Sequence, residues 1–191
     1  SPIQIDPTNP LYPVTNPPGL AKTLAGKFGF YHTLGLAEDT NALVDEVIDE
    51  DQFLQMSERV MLEAENIFFD QLATRKTGLV GYVFDTVDRV CHVFWRYRDH
   101  THPAHNEVQA IEYANVIKRF YQKADAIVGR VMAQMDPDRD TLLIVSDHGF
   151  SSYRRSVHLN AWLTEQGYMV LKDGFQEVGP LFDGVDWSQT K

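Results

Sequence analysis

The sequence lacks the features that mark membrane-spanning, disulfide-rich and nucleic-acid-binding proteins. No apolar run approaches the roughly 18 residues of a transmembrane helix, and the only cysteine, Cys91, excludes an internal disulfide. Basic residues are few, 17 against 27 acidic ones, giving a formal net charge of -10. Because binding to a nucleic-acid backbone needs clustered Lys and Arg, we do not expect it. We expect a soluble protein and favour the cytoplasm over export.

The first part of the chain predicts an arm followed by helices. Six prolines within residues 1–19 are incompatible with a regular helix or a central strand, so they predict an extended arm. Apolar residues then recur at helical spacing from about residue 39 to residue 75, with a long helix beginning near Asp51. We therefore expect residues 1–75 to form a helical region that begins with this arm.

Residues 76–191 have a different pattern, which predicts an α/β fold. Residues 79–84 and 141–146 are short apolar runs typical of buried strands, and residues 168–172 predict a third strand. Between the first two runs, residues 85–104 predict a polar loop and residues 106–135 a long amphipathic helix. Strand, crossover helix and strand form a right-handed parallel βαβ unit.

Two pairs of potential metal ligands follow the first two predicted strands. Asp88 and His92 are four residues apart, so one helical turn places them on the same side, while Asp147 and His148 are adjacent. Ligands of open α/β sheets bind at the carboxyl ends of parallel strands, where these pairs would meet. Carboxylate oxygen and imidazole nitrogen suit zinc, with manganese and iron as alternatives.

Non-catalytic interpretations of the same residues stay open at this point. Asp147 could cap the following segment with His148 at the surface, and Asp88 with His92 could form an ion pair on a surface helix. Three further histidines, His100, His102 and His105, have a spacing that resembles a metal cluster. Pro103 and the polar surroundings favour loop histidines over the mouth of the site instead.

Several longer motifs resemble the alkaline phosphatase superfamily, in particular its type I phosphodiesterase/nucleotide pyrophosphatase branch. The resemblance covers about residues 79–191 and is looser upstream. The motifs are FDTVDRVCHVFWR at 84–96, SDHGF at 146–150, LNAWL at 159–163, GYMVLK at 167–172 and VDWSQT at 185–190.

The resemblance implies a fold and an activity for the chain. The fold is part of a three-layer sandwich with a mostly parallel sheet and crossover helices, formed by residues 76–191. Residues 1–75 are a helical insert that caps the site. The activity is hydrolysis of phosphate esters by two divalent metals, Asp88 and His92 holding one and Asp147 and His148 the other. A Thr or Ser nucleophile attacks phosphorus, and the phospho-enzyme is then hydrolysed.

The resemblance also implies that the site needs residues from outside this chain. In the family, another metal-binding Asp and the nucleophile precede the segments found here, and another His ligand follows them. The chain does not begin with Met, so we expect an internal fragment of a catalytic domain that is inactive alone, with metals weakly held or absent. We also expect self-association through exposed sheet edges. Alternatives are a phosphonate hydrolase, sulfatase or metal-dependent phosphomutase of the same superfamily, or a non-catalytic binding module.

Overall fold

A computed structural model describes residues 4–34, 37–152 and 154–191, so residues 1–3 of the predicted arm lie outside the description. The chain forms two compact units, residues 1–152 and 153–191. The division predicted at residue 75 stays a prediction. The α-helices in the described ranges are α1 (Leu20–Phe28), α2 (Thr40–Val44), α3 (Glu50–Thr74), α4 (Thr86–Arg98), α5 (Glu107–Tyr113), α6 (Val116–Met132) and α7 (Leu159–Glu165).

The long helix predicted near Asp51 is confirmed as α3. Its start is fixed by a reciprocal pair of side-chain caps. The Asp49 carboxyl accepts the Gln52 backbone N–H at 2.8 Å, and the Gln52 side-chain oxygen accepts the Asp49 backbone N–H at 3.0 Å. This capping box satisfies two backbone N–H groups at the start of the helix, which explains why the helix begins at Glu50.

Helix α4 lies at the centre of the hydrophobic core of the larger unit. It packs against α3, α5 and α6, and its residues Val90, Phe94 and Tyr97 are at most 2% exposed. Spacings of four and three residues place these side chains on one face. Each such burial stabilises the fold by roughly 1.5–3 kcal/mol. The core therefore determines which face of α4 is buried and directs the opposite face away from the core.

The polar loop predicted at residues 85–104 is wrong, because α4 takes up most of it. The charged side chains of α4 and His92 lie on the less buried side of the helix, and its other side buries Thr86, Val90, Cys91, Phe94 and Tyr97. The predicted helix 106–135 is present but interrupted. It consists of α5 and α6, which are separated by Ala114 and Asn115.

The prediction of an α/β sandwich with a mostly parallel sheet is also wrong. Residues 79–84 and 141–146 form no strand, and the sole β-bridge among the described residues is the antiparallel pair Leu171 and Val185. Leu79 is 92% exposed and Val145 87% exposed, whereas buried strands were expected. An apolar run favours an extended chain, but a strand needs a hydrogen-bonded neighbour. The described residues supply none, and they give no support to association through sheet edges.

The smaller unit combines α7, a 3-10 helix at Pro180–Phe182 and the isolated bridge. The LNAWL motif at 159–163 lies on α7. Trp162 on this helix stacks on Tyr168 with ring centroids 6.2 Å apart. Gly184 has a φ of 83°, and a Cβ there would lie 2.3 Å from the Phe175 ring, so this turn requires glycine.

A buried polar contact fastens the start of α4, and its removal is a test of that anchor. Thr86 Oγ1 donates to Glu38 Oε1 at 2.7 Å, and both residues are buried. We expect Thr86→Val to lower the free energy of unfolding by about 1–3 kcal/mol, because the buried carboxyl group loses its donor. Urea denaturation gives the value. In the control, Thr74→Val removes an exposed hydroxyl and should cost under about 0.5 kcal/mol; equal losses would contradict the prediction.

A second polar contact joins α4 to the start of α3. The Glu50 carboxyl accepts the Tyr97 hydroxyl at 2.6 Å and the Arg96 guanidinium at 2.6 Å. Burial, followed by the hydrogen bond to Glu50, raises the pKa of Tyr97 to about 12 from 10.0. A raised pKa means that the folded chain favours the protonated phenol. The contribution of Tyr97 to stability is therefore full below pH 10 and is lost as the pH rises towards 12.

The pH dependence of stability tests this contact. We expect the stability advantage of the wild type over Tyr97→Phe to be constant below about pH 9 and to narrow between about pH 10 and 12. Urea denaturation across this range measures it. Tyr121→Phe is the control, because Tyr121 is exposed and its hydroxyl bonds to no described residue. A difference for Tyr97→Phe that stays constant with pH would count against the prediction.

Candidate metal centre

The outer face of α4 carries the first ligand pair. Asp88 and His92 are one turn apart, on the side opposite Val90 and Phe94. The distance from His92 Nε2 to Asp88 Oδ2 is 3.4 Å. Two donors at ~2.1 Å from one tetrahedral ion lie about 3.4 Å apart. The pair therefore has the separation that two ligands of a single ion require.

The second pair lies in the segment that follows residues 141–146. His148 Nδ1 lies 2.7 Å from the Gly149 carbonyl oxygen, which only accepts hydrogen bonds, so Nδ1 carries the proton. In the neutral ring this leaves the lone pair on Nε2, 3.6 Å from Asp147 Oδ2. Histidines that ligate metals characteristically donate their other N–H to a carbonyl or carboxylate. His148 therefore has the tautomer and the orientation of a metal ligand.

The two pairs converge at Asp88. His148 Nε2 lies 3.9 Å from Asp88 Oδ1, while His92 lies on the other oxygen of the same carboxyl group. Asp88 Oδ1 is also buried and accepts no hydrogen bond from any described residue. Most buried polar atoms in native structures have a partner, so this oxygen is an acceptor that a cation or a water would satisfy.

The donor set fits a divalent metal in chemistry, and it is incomplete in number. Each pair supplies two donors, whereas zinc takes four ligands in protein sites. Within the described ranges, no group of three or more His, Cys, Asp or Glu side chains is arranged to hold one ion. The site is also open, since the Asp147 side chain is 87% exposed and that of His148 is 57% exposed.

Two of the three further histidines, His102 and His105, are engaged within their own loop or with α4. His105 Nδ1 donates to the Arg96 carbonyl oxygen at 2.7 Å, and His102 Nδ1 accepts the Ala104 N–H at 3.0 Å. These contacts agree with the interpretation of loop histidines rather than with a metal cluster.

Sequence inspection missed two side chains, Phe150 and Ser152, that join the segment of the second pair to α4. Phe150 packs on the rings of His92 and Trp95, and Ser152 Oγ donates to Asp99 Oδ2 at 2.8 Å. The sequence contains one indication of these contacts. Trp95 and Asp99 follow His92 at spacings of three and four residues, which extend the face that begins with Asp88.

The model of one protein family matches almost the entire chain. The matched residues are 7–184, and the family is described as type I phosphodiesterase / nucleotide pyrophosphatase. The chain belongs to this family. Membership supports a phosphoester hydrolase at the level of the family, which is generally metal-dependent, and it confirms the resemblance found in the motifs. Neither the curated proteins nor the solved structures contain a significant match.

In the parts of the chain that the structure describes, no helix combines the length and the apolar character needed to cross a bilayer. A small-molecule phosphoester as substrate fits the family.

The ionisation of His148 tests the geometry without any metal. The hydrogen bond to the Gly149 carbonyl, and next the charge of Asp147, raise the pKa of His148. We therefore expect Asp147→Asn to lower this pKa, because a negative charge that stabilises the imidazolium is removed. NMR titration of the ring protons measures it. Asp125→Asn, an equal charge change on α6, should leave the midpoint in place; an unchanged midpoint in Asp147→Asn would contradict the arrangement.

Proposed function

We propose that this chain carries part of the active site of a two-metal phosphoester hydrolase, of the phosphodiesterase/nucleotide pyrophosphatase type. Asp88 and His92 would hold one divalent ion, and Asp147 and His148 the other. The observation that supports this most directly is the convergence of both pairs on the Asp88 carboxyl group, one of whose oxygens is buried and accepts no hydrogen bond from a described residue. Zinc suits the donor set best, with manganese and iron as alternatives.

The bound metals would supply charge stabilisation for the attacking and leaving oxygens of an in-line displacement at phosphorus. The residues of this chain would set the protonation state and the charge of that site. The Gly149 carbonyl keeps the proton on Nδ1 of His148, so Nε2 is available as a donor. The two carboxyl groups, Asp88 and Asp147, offset part of the positive charge that a pair of divalent ions brings.

The proposal places the remaining ligands and the nucleophile outside this chain. Each observed pair provides two donors, and a zinc ion takes four ligands in most protein sites. The nucleophile would be a Thr or Ser that attacks phosphorus directly. It follows that the 191-residue chain alone would be inactive and would hold its metals weakly.

The substrate class follows from charge and from family. A net charge of -10 opposes binding along a nucleic-acid backbone, because phosphates are attracted by clustered Lys and Arg. A small phosphodiester or nucleotide, neutralised locally by the metals, meets less repulsion. This supports a small-molecule substrate.

Hydrolysis of bis(4-nitrophenyl) phosphate tests the proposal in the longer protein that joins this segment to a nucleophile. We expect activity that chelators abolish, and a loss of about 100-fold or more in His92→Ala and Asp147→Ala, because ligands matter at least as much as their supporting partners. Asp125→Ala, an exposed carboxyl on α6, should keep full activity.

Elemental analysis of the same protein provides the second measurement. About two equivalents of divalent metal are expected, and fewer in the ligand variants. Full activity in Asp147→Ala, or a protein free of metal that still cleaves the ester, would contradict the proposal. The 191-residue chain assayed alone should release no nitrophenol above background.

A further inference from the structure

Residues 148–152 run along the outer face of α4, with alternate residues making the contacts. His148 lies near Asp88, and Phe150 packs against His92 and Trp95. Ser152 bonds to Asp99, the C-cap residue of the helix. Phe150 and Ser152 are partly buried, whereas Gly149 and Ser151 are exposed. The segment therefore contacts α4 near its start, at its middle and at its end.

Each of the two further contacts has a specific geometry. The Phe150 ring meets His92 edge to face, with centroids 4.9 Å apart and an interplanar angle of 89°, and lies 5.1 Å from the Trp95 ring. Ser152 Oγ donates to Asp99 Oδ2 at 2.8 Å. Phe150 also packs against the hydrophobic core of the larger unit, so the segment is tied to the core as well as to the helix face.

The spacing of the contacts follows from chain geometry. Two residues of extended chain advance about 6.6 Å, and one turn of α-helix advances about 5.4 Å. An extended segment laid along a helix therefore meets a new turn with every second residue. Alternate side chains of an extended chain point to the same side, which agrees with the contacts that residues 148, 150 and 152 make with α4.

We propose that Phe150 and Ser152 are positioning residues that hold Asp147 and His148 in register with Asp88 and His92. The inference rests on the proposed function, in which these four residues hold the metals. His148 is 57% exposed and Asp147 is 87% exposed, so neither is kept in place by burial of its own side chain. The two attachments beyond them supply the constraint that burial supplies elsewhere.

The experiment combines two measurements on the 191-residue chain. The first is a nuclear Overhauser contact between the His148 ring and the Asp88 Hβ protons, recorded without metal. The second is the affinity for Zn²⁺ by calorimetry. Both are compared in the wild type, Phe150→Ala and Ser152→Ala, with far-UV circular dichroism as the check that the helices persist. Ser152→Thr keeps the hydroxyl and should restore both signals.

Two matched controls separate an effect on the pairing of residues 148–152 with α4 from a general effect of removing a side chain. Ser151→Ala removes the neighbouring exposed hydroxyl, and Phe30→Ala removes a phenylalanine that is 74% exposed elsewhere in the same unit. Neither should alter the His148 contact or the Zn²⁺ affinity by more than about twofold. In Phe150→Ala and Ser152→Ala we expect the contact to be lost and the affinity to fall about 10-fold or more, the range found for groups that orient ligands.

The outcomes distinguish this inference from the proposed function. A wild-type chain that binds no measurable Zn²⁺ shows that ligands from outside this chain are needed for binding. The His148 contact alone then decides the register, and metal analysis of the longer protein decides the proposed function. Loss of that contact in both variants, with recovery in Ser152→Thr, supports the inference. A contact that persists in Ser152→Ala and Phe150→Ala overturns it. Where Phe150→Ala unfolds, the comparison of Ser152→Ala with Ser152→Thr decides between these two outcomes.

Discussion

The burial of one face of α4 is the interaction on which the rest of the larger unit depends. Val90, Phe94 and Tyr97 are enclosed by α3, α5 and α6, and successive helical residues are rotated by about 100°. A shift of the buried face by one residue would therefore carry Asp88 and His92 away from the segment that holds His148. The placement of the candidate pair, Asp88 and His92, is a consequence of core packing, although neither residue belongs to the core.

Polar contacts fix α4 at both ends and make that rotation specific. At the start, Thr86 donates to the buried Glu38, and at the end Tyr97 and Arg96 share the carboxyl group of Glu50. Apolar burial alone tolerates small slides and rotations, because it has no preferred direction. Hydrogen bonds of 2.6–2.7 Å depend on distance and direction, so they do not tolerate such slides and rotations. The combination explains how a helix with one exposed side keeps that side in a defined place.

The elements that were predicted correctly from the sequence are those whose determinants are local. The capping residues and apolar stripe of α3 lie within the helix itself, so its start could be predicted to within a few residues. Residues 79–84 and 141–146 failed as strands because strand formation depends on a partner that the apolar pattern cannot specify. The helix α4 was mistaken for a loop, since the charged residues and histidines of residues 85–104 outweighed five buried positions at helical spacing.

The same distinction separates the parts of the candidate site. The pairs Asp88 with His92 and Asp147 with His148 are close in sequence and could be found there, while Phe150 and Ser152 act on residues about 50 positions away. Their importance follows from a difference between the two histidines. His148 donates Nδ1–H to a carbonyl, whereas His92 makes no such bond to any described residue. The ring of Phe150, set edge to face on His92, restricts that imidazole by packing instead. The segment that delivers the second pair therefore also orients the histidine of the first, so the two pairs are organised together.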